Sequence, residues 1–254
     1  MKKRTKGNIT APSLPGKDML AEVNNNEAGN IYNSLFAKNR KVEYDNKDIA
    51  LVNIRTNPDN QIFRAMDDDE DIRILAEDIK RNGLMHNLVV FPEQEEGSTV
   101  YVLLSGERRF RALNYLQEKG DATWNIVNCN VVTTPLTENE KKVLLYSANL
   151  QVRGGFSDEA IRRQAIAEFI TCLQREPYNM SREEALNATK SVSTVNPRTI
   201  ERDARIEEKL KGKLKTLLND KFLTRSECET YLRFEADKQD EIANRFEKLQ
   251  AVDC

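Results

Sequence analysis

The sequence predicts an α+β domain built on a small mixed sheet, followed by an all-α domain that contains a helix-turn-helix. Two observations predict this order. Before Pro135, short apolar runs typical of strands alternate with apolar residues at helical spacing, whereas only helical spacing follows it. The 254 residues are enough for two cores. No apolar run approaches the roughly 20 residues that a membrane-spanning helix needs.

The predicted boundaries divide the chain into four parts. Residues 1–44 form a polar and basic arm without sustained periodicity, which predicts disorder apart from a short helix near 31–38. Residues 45–135 form the α+β domain and 136–234 the helical domain. Residues 235–254 form a C-terminal helix.

The α+β elements are read from apolar spacing and turn residues. A helix follows the acidic residues 67–71, because acids suit the positive end of a helix dipole, and Gly83 ends it at the C′ position. A second helix begins directly after Gly106. The four predicted strands are Ala50–Ile54, Asn87–Phe91, Thr99–Leu104 and Ile126–Val132.

The helical elements are read from capping residues and helix breakers. Thr137 is the predicted N-cap of the first helix, which ends at Gly154-Gly155. Ser157 is the predicted N-cap of the next helix, which ends at Pro177. The later predicted elements are a capping box at Ser181 that opens a helix to Val192, an Asn196-Pro197 start to a helix reaching Leu210, a helix near Lys211–Asn219, and a helix from Arg225 onward.

Charge and composition exclude several kinds of site. The net charge of −2 is unusual for a nucleic-acid binder, but basic residues are concentrated in the N-terminal arm and between Arg198 and Lys221. His86 is the single histidine, which argues against most hydrolase triads. The four cysteines lie far apart, so we expect reduced structural thiols and no zinc site.

The Ser105-Gly106 junction between a strand and a helix is a candidate anion site. Glycine lets a ligand approach the backbone, and the helix N-terminus directs its N–H groups at it. Arg108, Arg109 and Arg111 add donors that match phosphate oxygens, and Glu107 can orient an arginine. An amphipathic helix with solvated arginines explains the same residues, and the run is not a P-loop.

The run Gly106-Glu107-Arg108-Arg109-Phe110-Arg111-Ala112 resembles the Gly-Glu-Arg-Arg-x-Arg-Ala signature of the ParB family. Further similarities keep the family's order over roughly residues 48–225: Ile54-Arg55 with Asn57-Pro58, Gln61 and Arg64; Leu75 to Leu84 followed by Leu88-Val89-Val90; and Ala148-Asn149-Leu150-Gln151 with Arg153. The resemblance implies a ParB/sulfiredoxin-like fold that binds CTP.

The resemblance also assigns site residues. Phosphate contacts fall on Gly106, Glu107, Arg108, Arg109 and Arg111, the base lies beside Gly83 and Leu84, and Asn149 lies near a Mg²⁺ ion. Two departures matter: Asn87 stands where the family has proline, and Ala148 where it has glutamate. Because a hard oxygen ligand for Mg²⁺ is lost, weak CTP hydrolysis stays an open question.

Residues 181–210 resemble a helix-turn-helix, although a charged helical hairpin explains the spacing equally well. The second helix would enter the major groove, with Ile200 and Ala204 facing inward. The predicted DNA contacts are Arg198, Thr199, Glu201 and Arg202 on that helix, and Lys190, Ser191 and Ser193 before it.

The combined prediction is a sequence-specific, CTP-responsive DNA-binding protein of plasmid or chromosome partition. We expect it to be cytoplasmic, associated with nucleoid or plasmid, homodimeric, and a partner of double-stranded DNA and a ParA-type ATPase. The alternatives are a transcriptional regulator or mobile-element accessory protein, and a kinase or nuclease on the same fold. A sulfiredoxin is excluded because Glu107 occupies the position of its catalytic cysteine.

Overall fold

The computed structural model describes residues 42–64, 69–152 and 158–250, with side chains omitted for 64, 152 and 247–250. The predicted helix near 31–38 and the Gly154-Gly155 break lie outside these ranges. Within them the chain is α+β, with a mixed sheet first and helices after it, as predicted. No helix in the described part of the chain is long and apolar enough to cross a bilayer.

The sheet has five strands in the order β1-β5-β3-β4-β2. Strand β5 pairs antiparallel with β1 and parallel with β3, whereas β4 pairs antiparallel with β3 and parallel with β2. The strands are β1 (Tyr44–Ala50), β2 (Ile54–Arg55), β3 (Leu88–Glu95), β4 (Ser98–Ser105) and β5 (Ile126–Val132).

Ten α-helices are observed in the described residues. Those around the sheet are α1 (Gln61–Arg64), α2 (Asp69–Asn82) and α3 (Glu107–Glu118). The helical part contains α4 (Glu138–Val152), α5 (Glu159–Gln174), α6 (Arg182–Val192), α7 (Pro197–Lys209), α8 (Gly212–Asn219), α9 (Arg225–Tyr231) and α10 (Ala236–Gln250). Short 3-10 helices occupy Leu51–Asn53, Pro58–Asn60 and Ala122–Asn125.

Apolar side chains of the sheet alternate between two cores. On β4, Leu103 faces a core shared with α2 and α3, while Val102 and Leu104 face a core shared with α4 to α7. This period of two is the geometry of a strand covered on both faces. A third core, which includes Leu214 and Leu218, joins the end of α7 to α8, α9 and α10.

One strand prediction was wrong. Residues predicted as the strand Ala50–Ile54 instead contain a 3-10 turn that buries Leu51 and leaves Val52 74% exposed. The edge strand precedes them at Tyr44–Ala50, where four consecutive residues are exposed. A solvated edge strand lacks the apolar alternation by which strands are recognised, so its sequence did not indicate it.

One predicted helix cap also needed correction. The cap of α5 is Asp158, whose carboxylate accepts from the N–H groups of Ala160 and Ile161, while the predicted cap Ser157 lies outside the described residues. The helix that begins at Arg225 ends at Tyr231, and the predicted C-terminal helix follows it as α10. They are separated near Phe234, where the buried Gln239 donates to the Phe234 carbonyl and accepts from the Lys211 N–H. This break depends on tertiary hydrogen bonds.

Candidate nucleotide and DNA sites

Gly106 connects β4 to α3 in a left-handed conformation, with φ of +102°. A Cβ at this position would lie 2.8 Å from Leu88 Cδ2 and 3.3 Å from a guanidinium nitrogen of Arg109. Glycine is therefore required by both the dihedral angle and the space. Because it has no side chain, it gives the first turn of α3 no side-chain cap, which leaves the helix N-terminus as a candidate anion site.

Arg109 ties this helix start to the loop before β3. Its Nη1 donates to the carbonyl oxygens of His86 at 2.5 Å and Asn87 at 3.0 Å. The arginine thus holds the segment that follows Gly83 against the Gly106 turn. The segment after Gly83 and the Gly106 turn, two predicted parts of the nucleotide site, are therefore held together by hydrogen bonds from the Arg109 side chain to backbone carbonyls.

The side chain of Asn87 belongs to a chain of amides across the sheet. Its Nδ2 donates to Asn128 Oδ1 at 2.8 Å, and Asn128 Nδ2 donates to Asp48 Oδ1 at 2.9 Å. An ionised carboxylate only accepts hydrogen bonds, so Asp48 sets the orientation of both amides. Sequence spacing gave no signal for this chain, because its members come from β1, β5 and a loop.

The other arginines of the run face the acidic first turn of α2. Arg108 lies 3.8 Å from Asp71, and Arg111 forms a 2.9 Å ion pair with Asp69. Glu107 is buried, with 6% of its surface exposed. The acids therefore share the surface of the candidate phosphate site, an arrangement that their position in the sequence did not predict.

The remaining predicted nucleotide residues lie on two different elements. Gly83 ends α2 with φ of +81°, and its N–H donates to the Ile79 carbonyl, as expected of a C′ glycine. Leu84 packs against the core under α2 and α3. Asn149 lies on α4, where its Nδ2 donates to Leu145 O at 2.9 Å and to Asn60 Oδ1 at 3.4 Å.

Few oxygen atoms of the described residues near Asn149 could bind a magnesium ion. The Asn149 amide oxygen is a hard ligand of the type that Mg²⁺ prefers, while Ala148 supplies none. The described residues contain no group of three or more His, Cys, Asp and Glu side chains that could hold a metal. A bound Mg²⁺ would therefore take most of its ligands from nucleotide phosphates and water.

The predicted helix-turn-helix corresponds to α6 and α7. Ser181 and Glu184 form the predicted capping box of α6, and the Asn196 side chain accepts from the Arg198 N–H at the start of α7. Ile200 and Ala204 are buried, as predicted from their spacing. These contacts leave the opposite face of α7 for a ligand.

Several predicted DNA contacts also take part in local interactions. Lys190 pairs with Glu201, and this hydrogen bond lowers the pKa of the glutamate. Ser191 Oγ donates to the Ala188 carbonyl at 2.7 Å. Ser193 ends α6, and its Oγ lies 3.4 Å from the Leu150 carbonyl on α4.

The first turn of α7 contains an arginine that is accessible. Arg198 is exposed, and its side chain forms no ion pair within the described part of the chain, while Thr199 is half-buried. Arg202, by contrast, donates to Glu229 Oε2 at 2.7 Å and to Ser226 Oγ at 3.1 Å, both on α9.

Comparisons with known proteins match the first half of this architecture. A family model described as the ParB N-terminal domain matches residues 35–140, which include the sheet, the Gly106 turn and the start of α4. Residues 35–140 are therefore similar to the ParB N-terminal domain. A comparison with curated proteins finds no significant match.

Among solved structures, the chain resembles C-terminally truncated chromosome-partitioning protein ParB from Caulobacter crescentus complexed with CTP-γ-S. The identity is 18% and the TM-score 0.34, over 79% of this chain and 98% of that one. For the same protein complexed to the centromeric parS site the identity is 15% and the TM-score 0.29, over 78% of this chain and 89% of that one. For a pNOB8-like ParB N-domain the identity is 11% and the TM-score 0.38, over 84% of this chain and 92% of that one. These scores are low, so the domain assignment depends on residues 35–140.

Beyond the ParB N-terminal domain, a buried charge network was missed by sequence reasoning. Asp203 on α7 is fully buried and accepts from Arg162 at 2.7 Å and from Arg225 at 3.4 Å. Arg163 is 2% exposed, and burial lowers the pKa of its guanidinium although Asp203 opposes this. The only sign of this charge network in the sequence is Asp203, an aspartate on the apolar side of α7, next to Ala204.

The cysteines of both regions are buried thiols, as predicted. Burial raises the pKa of Cys129 to about 12, and those of Cys172 and Cys228 to about 11. All three are free, and Cys254 lies outside the described residues. A thiol that stays protonated near neutral pH is a poor nucleophile, which agrees with a structural role.

Proposed function

We propose that this protein binds a nucleotide, CTP, at the Gly106 turn and binds a specific double-stranded DNA sequence through α7, in plasmid or chromosome partition. The observation that carries the proposal is the left-handed Gly106 at the start of α3 inside a ParB N-terminal domain. Triphosphate oxygens would meet the helix N-terminus and the guanidinium of Arg108 or Arg111.

The base and the metal ion are assigned by resemblance to the ParB pattern. Gly83 and Leu84 would line the base side, which Arg109 keeps close to the Gly106 turn through the His86 and Asn87 carbonyls. Asn149 would lie near Mg²⁺. Because Ala148 replaces a carboxylate, we propose binding with at most weak hydrolysis.

DNA binding is supported by the contacts of α6 and α7. Asn196 caps α7, and the buried Ile200 and Ala204 fix the face that it turns inward. Arg198 and Thr199 would approach base edges, while Ser191 and Lys190 would approach phosphates. Because a palindromic site matches a two-fold assembly, we propose a homodimer on an inverted repeat. A ParA-type ATPase is the proposed protein partner.

Calorimetric titration with CTP and with ATP tests this proposal, each with and without a DNA duplex selected from a random library. We expect saturable CTP binding and a selected sequence whose affinity changes when CTP is present. Equal binding to all duplexes, unchanged by either nucleotide, would refute the proposal. Sequence-specific binding without any nucleotide response would leave a plain DNA-binding protein.

The same parts suit a transcriptional regulator or a mobile-element accessory protein. Partition requires a partner ATPase, whereas regulation requires only a promoter site. Stimulation of a ParA-type ATPase encoded next to this chain would favour partition. A selected sequence that overlaps a promoter, with no effect on the ATPase, would favour regulation.

A further inference from the structure

Glu229 on α9 binds two arginines of α7 at once. Its Oε2 lies 2.7 Å from Arg202 Nη2, and its Oε1 lies 2.7 Å from Arg205 Nη2. The Ser226 hydroxyl also accepts from Arg202, at 3.1 Å. One carboxylate therefore neutralises part of the charge of two guanidinium groups and holds both against α9.

These two arginines lie on the surface that would face DNA. Arg198, Arg202 and Arg205 are four and three residues apart, which places them along one side of a helix. Arg198 is exposed at the N-terminal end of this row, whereas the Arg202 side chain is only 31% exposed. The Arg205 side chain is 53% exposed. The row thus begins with an arginine that forms no ion pair in the described residues and continues with two that Glu229 engages.

We propose that Glu229 limits nonspecific DNA binding by competing with phosphates for Arg202 and Arg205. This inference rests on the proposed DNA-binding function of α7. Nonspecific binding is almost entirely attraction between cations and phosphates, so a carboxylate beside two arginines weakens it directly. Specific binding also includes base contacts, for example from Arg198, so Glu229 weakens it proportionally less.

The proposal also accounts for the overall charge. A DNA-binding surface usually has a strong positive field, yet this chain has a net charge of −2. Lys190 is paired with Glu201 in the same way that Arg202 and Arg205 are paired with Glu229. Carboxylates placed within the basic surface keep its field low until a matching site displaces them.

The test compares Glu229→Gln with Glu241→Gln. Glu241 on α10 also accepts from two cations, Lys238 at 2.6 Å and Arg245 at 2.6 Å, but both of these lie on α10 itself. The two variants make the same change of charge and break the same kind of bridge. Affinity is measured by fluorescence anisotropy for a random duplex and for the selected duplex, over a series of KCl concentrations.

We expect Glu229→Gln to bind the random duplex about tenfold more tightly at low salt, with a salt slope steeper by about 0.9 for each phosphate gained. The selected duplex should gain by at most the same factor, since its additional base contacts do not depend on Glu229. Glu241→Gln should match the wild type. Adding Arg205→Gln to Glu229→Gln should reverse part of the gain, because the effect acts through that arginine.

Unchanged or weaker binding of the random duplex by Glu229→Gln would overturn the inference and assign Glu229 a purely structural role. An equal gain in Glu241→Gln would also overturn it, since net charge alone would then explain the result. If Glu229→Gln does not fold, Arg205→Gln alone must leave random-duplex affinity nearly unchanged, and a large loss would count against the inference. A wild type that binds neither duplex would instead refute the proposed function.

Discussion

Two helices of this protein begin in opposite ways, and the difference indicates what each can bind. Helix α3 begins after a left-handed glycine without a side-chain cap, whereas the Asn196 side chain caps α7 at the Arg198 N–H. An uncapped N-terminus directs backbone donors at an anion. A capped N-terminus offers its side chains, which suits the reading of DNA bases.

The two regions also hold their arginines differently. Around α3, Arg108 and Arg111 face exposed acids of α2, and the site depends on backbone conformation at Gly106. Under α7, the buried Asp203 joins helices from either side. We therefore expect α7 to be sensitive to loss of buried charge and the Gly106 turn to be sensitive to backbone change.

The largest expected effect is that of Asp203→Ala. Removing the buried carboxylate takes from Arg162, whose side chain is 11% exposed, its 2.7 Å partner and leaves only the exposed Glu159 at 3.7 Å. Such a change destabilises a protein by about 3–5 kcal/mol. Urea unfolding measures the loss, and Asp45→Ala on the exposed edge of the sheet is the control. A loss below that of the control would show that α7 does not depend on this network.

The next effect is that of Gly106→Ala. The positive φ and the crowding with Leu88 together should destabilise the protein by about 2 kcal/mol or more and abolish nucleotide binding. Gly97→Ala is the matched control, because it has φ of +81° but no atom within 4 Å of the added Cβ. Equal losses of stability in the two variants would contradict the steric argument.

Asn196→Ala should lower stability by about 1 kcal/mol, because α7 loses its side-chain cap. Asn196→Asp keeps the acceptor oxygen and should restore stability. Thermal melting measures both variants. Since the cap sets the start of α7, the proposed DNA-binding helix, affinity for the selected duplex should follow the same order. A stable Asn196→Ala with unchanged affinity would mean that packing alone positions α7.

The smallest effect on stability is that of Arg108→Gln. The Arg108 side chain is 46% exposed and lies 3.8 Å from Asp71, whose side chain is 59% exposed. Because an exposed ion pair contributes little, stability should change by less than about 1 kcal/mol. If Arg108 binds phosphate, the Kd for CTP should nonetheless rise about 10- to 100-fold by calorimetry. Asp71→Asn is the control and should not weaken binding. An unchanged Kd in Arg108→Gln would remove this arginine from the site.

Local patterns predicted most helices and three of the four expected strands. The Ser181 capping box, the Asn196-Pro197 start and the strand Ile126–Val132 were all placed correctly, because their signals lie within a few residues. The edge strand at Tyr44–Ala50 was not predicted. Its partner β5 is distant in the sequence, so no local pattern indicates the pairing.

By itself the sequence determined the α+β and all-α order, the glycine turn before α3, and the inward face of α7. These follow from periodicity, capping and the conformational freedom of glycine, which act locally. Only the tertiary structure decided which groups the arginines meet: backbone carbonyls for Arg109, Glu229 for Arg202 and Arg205, and Asp203 for Arg162. An ion pair depends on distance in space, and residues far apart along the chain come within that distance only when it folds.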